Sequence, residues 1–155
     1  MVDRQVIEVH LQNMEEALAN LGRYRNLSLE EFRKDLSLVW IVEKGLEILI
    51  QNLLDIGAHI LASEIKTDWD DYREIILKLG HHGIIPMNFS EGIQGMAGLR
   101  NILIHEYLRV DVPKLYEYLK NRLGDFTDYS LIYRNTWGKN ITIIPEPFPC
   151  LSPRP

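Results

Sequence analysis

Eight consecutive residues, Arg100-Asn101-Ile102-Leu103-Ile104-His105-Glu106-Tyr107, bring together a guanidinium, an amide, an imidazole and a phenol. An arginine holds a phosphate through two parallel N–H donors. A histidine is the side chain suited to moving protons near neutral pH. A tyrosine hydroxyl can donate, accept or be modified. The stretch closes an apolar helical segment and is followed by Leu108-Arg109-Val110-Asp111.

Helical geometry constrains how these groups can cooperate. At about 100° per residue, Asn101 and His105 lie one turn apart on one face. Arg100 and Tyr107 are also nearly aligned, two turns apart. Arg100 and His105 point roughly 140° away from each other, so a straight helix does not aim both at one atom. Three solutions remain open: the arginine wraps round, the helix ends near His105, or a second protomer completes the site. The wide apolar surface of the central helix favours the last.

The elements that must position the stretch follow from hydrophobic periodicity. Ile7, Leu11, Met14, Leu18 and Leu21 form one face of a first helix over about 3–21. Ser28-Leu29-Glu30-Glu31 reads as a capping box opening a long helix to about Ala62. That helix carries two apolar stripes and is expected to be central, with one side free for a second copy of the chain. The acidic run Asp68-Trp69-Asp70-Asp71 should start a third helix that stops at Gly80. Residues 81–87 read as a loop, and Ser90 as the cap of a fourth helix that carries the motif. Asp111-Val112-Pro113 should start a fifth, with a break near Gly124. The expectation is an all-α, antiparallel bundle of about five helices over 1–136. An extended Pro-rich tail follows over 137–155, with a possible short strand at 141–144.

Composition narrows the class. The 155 residues are 46% hydrophobic and 25% charged, ordinary for a globular domain that needs no metal or disulfide to fold. The N-terminus is charged from Asp3, unlike a signal peptide, and the lone Cys150 cannot form an internal disulfide. No uninterrupted apolar run reaches the ~20 residues of a membrane span. A cytoplasmic protein without membrane attachment is expected. The net charge of −5 argues against non-specific coating of nucleic acid. Residues 98–139 nevertheless hold 7 Lys and Arg against 5 Asp and Glu, which leaves room for a local basic site.

Other candidates weigh less. Asp55 and His59 lie one turn apart on the central helix, which is more often a surface pair than a catalytic one. Glu43 falls on an apolar stripe; a buried carboxylate there would need a partner such as Arg100, and partial exposure is the simpler expectation. His81 and His82 point apart and form no metal site by themselves, so neither a metal nor a cofactor is expected. Gly92, Gly95 and Gly98 suggest close approach of another helix rather than a phosphate loop.

The pattern Arg-x-x-x-x-His-x-Tyr, with Asn101 after the arginine and Arg109-Val110-Asp111 beyond, closely resembles the motif of HepT-like proteins. These are HEPN-domain toxins of HepT/MntA-type toxin–antitoxin systems, and the resemblance covers roughly residues 1–125. It implies a homodimer whose motifs face a shared cleft and a metal-independent endoribonuclease in a type VII-like system. Arg100 would hold the scissile phosphate of an RNA substrate. His105 would act as base or acid at the 2′-hydroxyl or leaving oxygen, and Asn101 would orient His105 or the phosphate. Tyr107 matches the tyrosine adenylylated by a cognate MNT-type nucleotidyltransferase antitoxin. The alternative from another class is a non-catalytic helical dimer module that docks the nucleotidyltransferase.

Overall fold

The computed structural model describes residues 1–105 and 111–137. They fold as an all-α bundle with no strand among the described residues. Helix α1 spans Arg4–Gly22, and Asp3 caps it by accepting from the amides of Gln5 (2.9 Å) and Val6 (3.3 Å). Its expected apolar face is buried, with Ile7, Leu11, Met14, Leu18 and Leu21 all inside. Ser28 caps α2 (Leu29–Lys34) as read from the sequence: its hydroxyl accepts from the Glu31 amide and donates to the Glu31 carboxylate.

The long helix expected from Ser28 to Ala62 is two helices. Asp35 takes an extended conformation (φ −110°, ψ 99°), and its carboxylate accepts from the amides of Ser37 (3.0 Å) and Leu38 (3.4 Å). A carboxylate that can cap a new helix competes with continuation of the old one. The central helix α3 therefore begins at Leu36 and runs to Ile60. It continues as a π turn over Leu61–Ile65, which Lys66 ends in a left-handed conformation (φ 57°).

Helix α1 lies antiparallel to α3: the Asp3 amide donates to His59, His10 meets Asn52, and Leu21 packs on Gly45. By length and composition the stretch Leu36–Ile65 could cross a membrane, but half of it is buried inside the bundle as its core helix. Its exposed apolar residues cluster at the start, at Leu36, Trp40 and Ile41.

Asp71, at the end of the acidic run, caps α4 (Tyr72–His81) by accepting from the Glu74 amide at 2.8 Å. The fourth helix departs from expectation. Ser90 is not its cap; it is buried within a short helix α5 (Met87–Ile93), where its hydroxyl donates to the Ile76 carbonyl at 2.7 Å. The chain breaks after Ile93 and restarts as α6 (Met96–His105), which carries the motif. Beyond Asp111, α7 (Val112–Glu117) passes through a π turn (Tyr118–Arg122) into α8 (Leu123–Trp137). The break expected near Gly124 is thus replaced by a π irregularity just before it. Tyr129 on α8 donates to the Leu53 carbonyl at 2.7 Å, fixing α8 on α3. The expected strand and most of the Pro-rich tail lie outside the described residues.

The glycines also differ from expectation. Among the described residues a Cβ at Gly92, Gly95 or Gly98 would meet nothing within 4 Å, so no described helix approaches these positions closely enough to need a glycine. Close approach occurs at Gly57, where a Cβ would lie 2.8 Å from Ile75 and 2.9 Å from Leu79. Gly57→Ala is expected to destabilise the fold by about 1–3 kcal/mol through overpacking, despite its better helix propensity. Gly98→Ala, with open space in mid-helix, should stabilise by about 0.5–1 kcal/mol. Chemical denaturation of both variants checks the pair of signs.

Candidate functional site at the end of the sixth helix

Helix α6 buries Met96, Ala97, Leu99 and Leu103, and this apolar anchor sets where its polar residues go. Arg100, half-buried, turns toward α3 and α4. Its Nε donates to Gln51 Oε1 at 3.1 Å, and its guanidinium lies over the Tyr72 ring, 4.2 Å from the centroid. Its Nη1 also reaches Asn101 Oδ1 at a long 3.4 Å. Asn101 is exposed, and so is His105, the last described residue of α6, whose imidazole has no hydrogen bond among the described residues. The structure therefore joins Arg100 to Asn101 directly and leaves His105 one turn further along the Asn101 face. Tyr107 lies outside the described residues.

The arginine–carboxylate pair that a purely structural Arg100 would be expected to make is absent among the described residues. Glu43 is not its partner. It is half-buried and has no ion pair among the described residues, and burial pushes its carboxyl above the ordinary range. Asp55 and His59 do not pair either: Asp55 accepts from Gln51 at 2.8 Å, while His59 Nε2 accepts from the Asp3 amide at 3.0 Å. His81 and His82 are both exposed, and among the described residues no three His, Cys, Asp or Glu side chains gather.

Gln51 and Tyr72 were not among the sequence candidates, and Asp55 was weighed only as a partner of His59. Gln51 and Asp55 are polar residues spaced one turn apart on α3, which is a visible signal. What links them to Arg100 is tertiary: the hydrogen bond from Arg100 spans 49 positions of sequence.

The chain is thus an all-α bundle that carries Arg100, Asn101 and His105 at the end of α6. The chain belongs to the ribonuclease HepT-like family, whose model matches residues 14–131. With that family comes the enzyme class, endoribonuclease. Two relatives are similar in sequence. The tRNA nuclease HepT of Aphanizomenon flos-aquae is 27% identical over 130 residues, covering 83% of this chain and 87% of that protein. The mRNA nuclease HepT of Shewanella oneidensis is 24% identical over 99 residues, covering 64% and 74%. The fold is also that of the tri-AMPylated Shewanella oneidensis HEPN toxin solved in complex with MNT antitoxin. That match has a TM-score of 0.76 at 19% identity, over 84% of this chain and 97% of that one.

Glu43 gives a pH-dependent signature. A carboxyl raised in the folded state binds protons more tightly there than in the unfolded chain, so its contribution to stability is complete in acid and is lost as pH rises through its folded pKa. Stability should therefore include a component that declines as pH climbs from about 4 toward neutrality. Glu43→Gln should remove that component, as read by urea titrations across the range.

Proposed function

We propose that this chain is the ribonuclease toxin of a HEPN/MNT toxin–antitoxin pair, acting on RNA without a metal. The observation that carries the reading is the guanidinium of Arg100, held in place with no carboxylate among the described residues to neutralise it, beside exposed Asn101 and His105. A fixed cation at a surface edge, with no carboxylate partner among the described residues, suits a phosphodiester.

In the proposed reaction the ribose 2′-oxygen forms a bond to phosphorus as the bond from phosphorus to the 5′-oxygen breaks. The products are a 2′,3′-cyclic phosphate and a 5′-hydroxyl. The proton leaves the 2′-hydroxyl and one is delivered to the departing 5′-oxygen. Arg100 holds the non-bridging oxygens and stabilises the charge that develops on them. His105 serves as base or acid, within the usual reach of general acid–base catalysis. Asn101 orients the imidazole or the phosphate. One imidazole performs one of the two proton transfers, so two motifs facing each other across a homodimer would supply both.

Control is proposed through Tyr107, two residues beyond His105. Adenylylation there by an MNT-type nucleotidyltransferase would place a bulky, negatively charged group beside the phosphate site and exclude RNA. The family match and the AMPylated HEPN toxin of similar fold support this reading.

RNA incubated with wild type should be cut, and His105→Ala should cut it about 100-fold more slowly or worse. Equal cleavage by the two proteins would sink the enzymatic assignment. An otherwise identical substrate with a 2′-deoxy sugar at the cleavage site should stay intact. Co-expression with the nucleotidyltransferase should add AMP-sized increments to the intact mass, and Tyr107→Phe should abolish them.

A further inference from the structure

Among the arginines drawn partly into this bundle, Arg134 and Arg100 have contrasting surroundings. Arg134 is 8% exposed and is clamped by two carboxylates. Its Nε donates to Glu15 at 2.6 Å, and its Nη1 donates to Glu8 at 3.1 Å. That charge is answered within the chain, as a structural guanidinium requires. Arg100 is held by neutral groups instead: the Gln51 amide oxygen on Nε and the Tyr72 ring against its face.

The arrangement has an internal logic. An amide can present either its oxygen or its nitrogen, and only the oxygen can accept from an arginine. The Gln51 nitrogen is committed to Asp55 at 2.8 Å, which turns the Gln51 oxygen toward Arg100. Asp55 thus sets the amide without reaching the guanidinium itself. The Tyr72 ring then fixes the guanidinium plane. Of the five donors of Arg100, the one on Nε is used, and the four on the terminal nitrogens have only the long contact to Asn101 among the described residues.

We propose that Gln51, Asp55 and Tyr72 are positioning residues that orient Arg100 through neutral contacts, so that its terminal nitrogens meet the scissile phosphate. The proposal rests on the reading of Arg100 as the phosphate-holding group. None of the three is a catalytic residue; they act through Arg100.

The test is kcat and KM of the full-length chain on a cleaved RNA, for Gln51→Ala, Tyr72→Leu and Tyr72→Phe, alone and combined with Arg100→Ala. Misplacing the guanidinium should lower kcat about 100-fold in Gln51→Ala and Tyr72→Leu, with KM little changed. Tyr72→Phe, which keeps the ring, should recover most of what Tyr72→Leu loses. Gln51→Glu is a further probe. It keeps an acceptor for Nε but adds a negative charge, so its RNA cleavage should fall although Arg100 stays anchored. In the Arg100→Ala background, Gln51→Ala and Tyr72→Leu should cost nothing more, because their effect passes through the missing group.

Wild-type kcat in both Gln51→Ala and Tyr72→Leu, or losses that add in full to that of Arg100→Ala, overturn the proposal. Should Gln51→Ala not fold, the Tyr72→Leu and Tyr72→Phe pair carries the same test. Arg100→Ala separates the two levels of the argument. If it cleaves like wild type, the assignment of Arg100 fails and the positioning role fails with it. If it is inactive while Gln51→Ala and Tyr72→Leu are not, the positioning role alone fails.

Discussion

The structure depends on the burial of α3 along most of its length. Val42, Leu46, Leu49, Ile50, Leu53, Ile56 and Ile60 are each removed from water completely. Each such side chain contributes roughly 1.5–3 kcal/mol of transfer free energy before the entropy of ordering the chain is charged against it. An axis this apolar can carry few polar side chains, and those it does carry must find partners. Two adjacent ones divide the task. Asn52 donates to the Ile48 carbonyl at 2.7 Å, and its oxygen meets His10 at 2.7 Å, which ties α3 to α1. Gln51 faces the other way and ties α3 to α6 through Arg100. One polar residue therefore serves the fold and its neighbour serves the site.

What the sequence conveyed follows from the range of each interaction. The helices, their buried faces and the caps at Ser28 and Asp111 rest on contacts within a few residues, and periodicity captures these. The motif was equally readable, because its residues are neighbours in the chain. Asp35 was harder. Its neighbours continue the apolar pattern of a helix on both sides, and only the capping capacity of its side chain says otherwise. Ser90 was misread for the opposite reason: its residue type suits a cap, yet its hydroxyl is bonded to the Ile76 carbonyl of another helix. The glycines at 92, 95 and 98 invited a packing explanation. The glycines that packing does require in α3 are Gly45, met by Leu21, and Gly57, met by Ile75 and Leu79, all arriving from other helices. Single-residue chemistry names candidates, but only tertiary placement chooses among them.

The placement of the motif also bears on how many chains build the site. Arg100 turns inward toward α3 and α4, held there by Gln51 and Tyr72. His105 follows five residues later on α6 and is exposed. A straight helix separates two such positions by about 140°. General acid–base chemistry requires the imidazole within about 3 Å of the oxygen it serves, while the guanidinium grips the same phosphate. Anchoring Arg100 inward removes much of its freedom to wrap toward the outward face. The positioning of the cation and the exposure of the imidazole therefore pull against a site built within one straight helix. A second chain whose motif faced the first would resolve that conflict without moving either residue: the exposed imidazole of one copy would approach a phosphate gripped by the other. A homodimer whose motifs face each other is therefore the arrangement proposed for this chemistry.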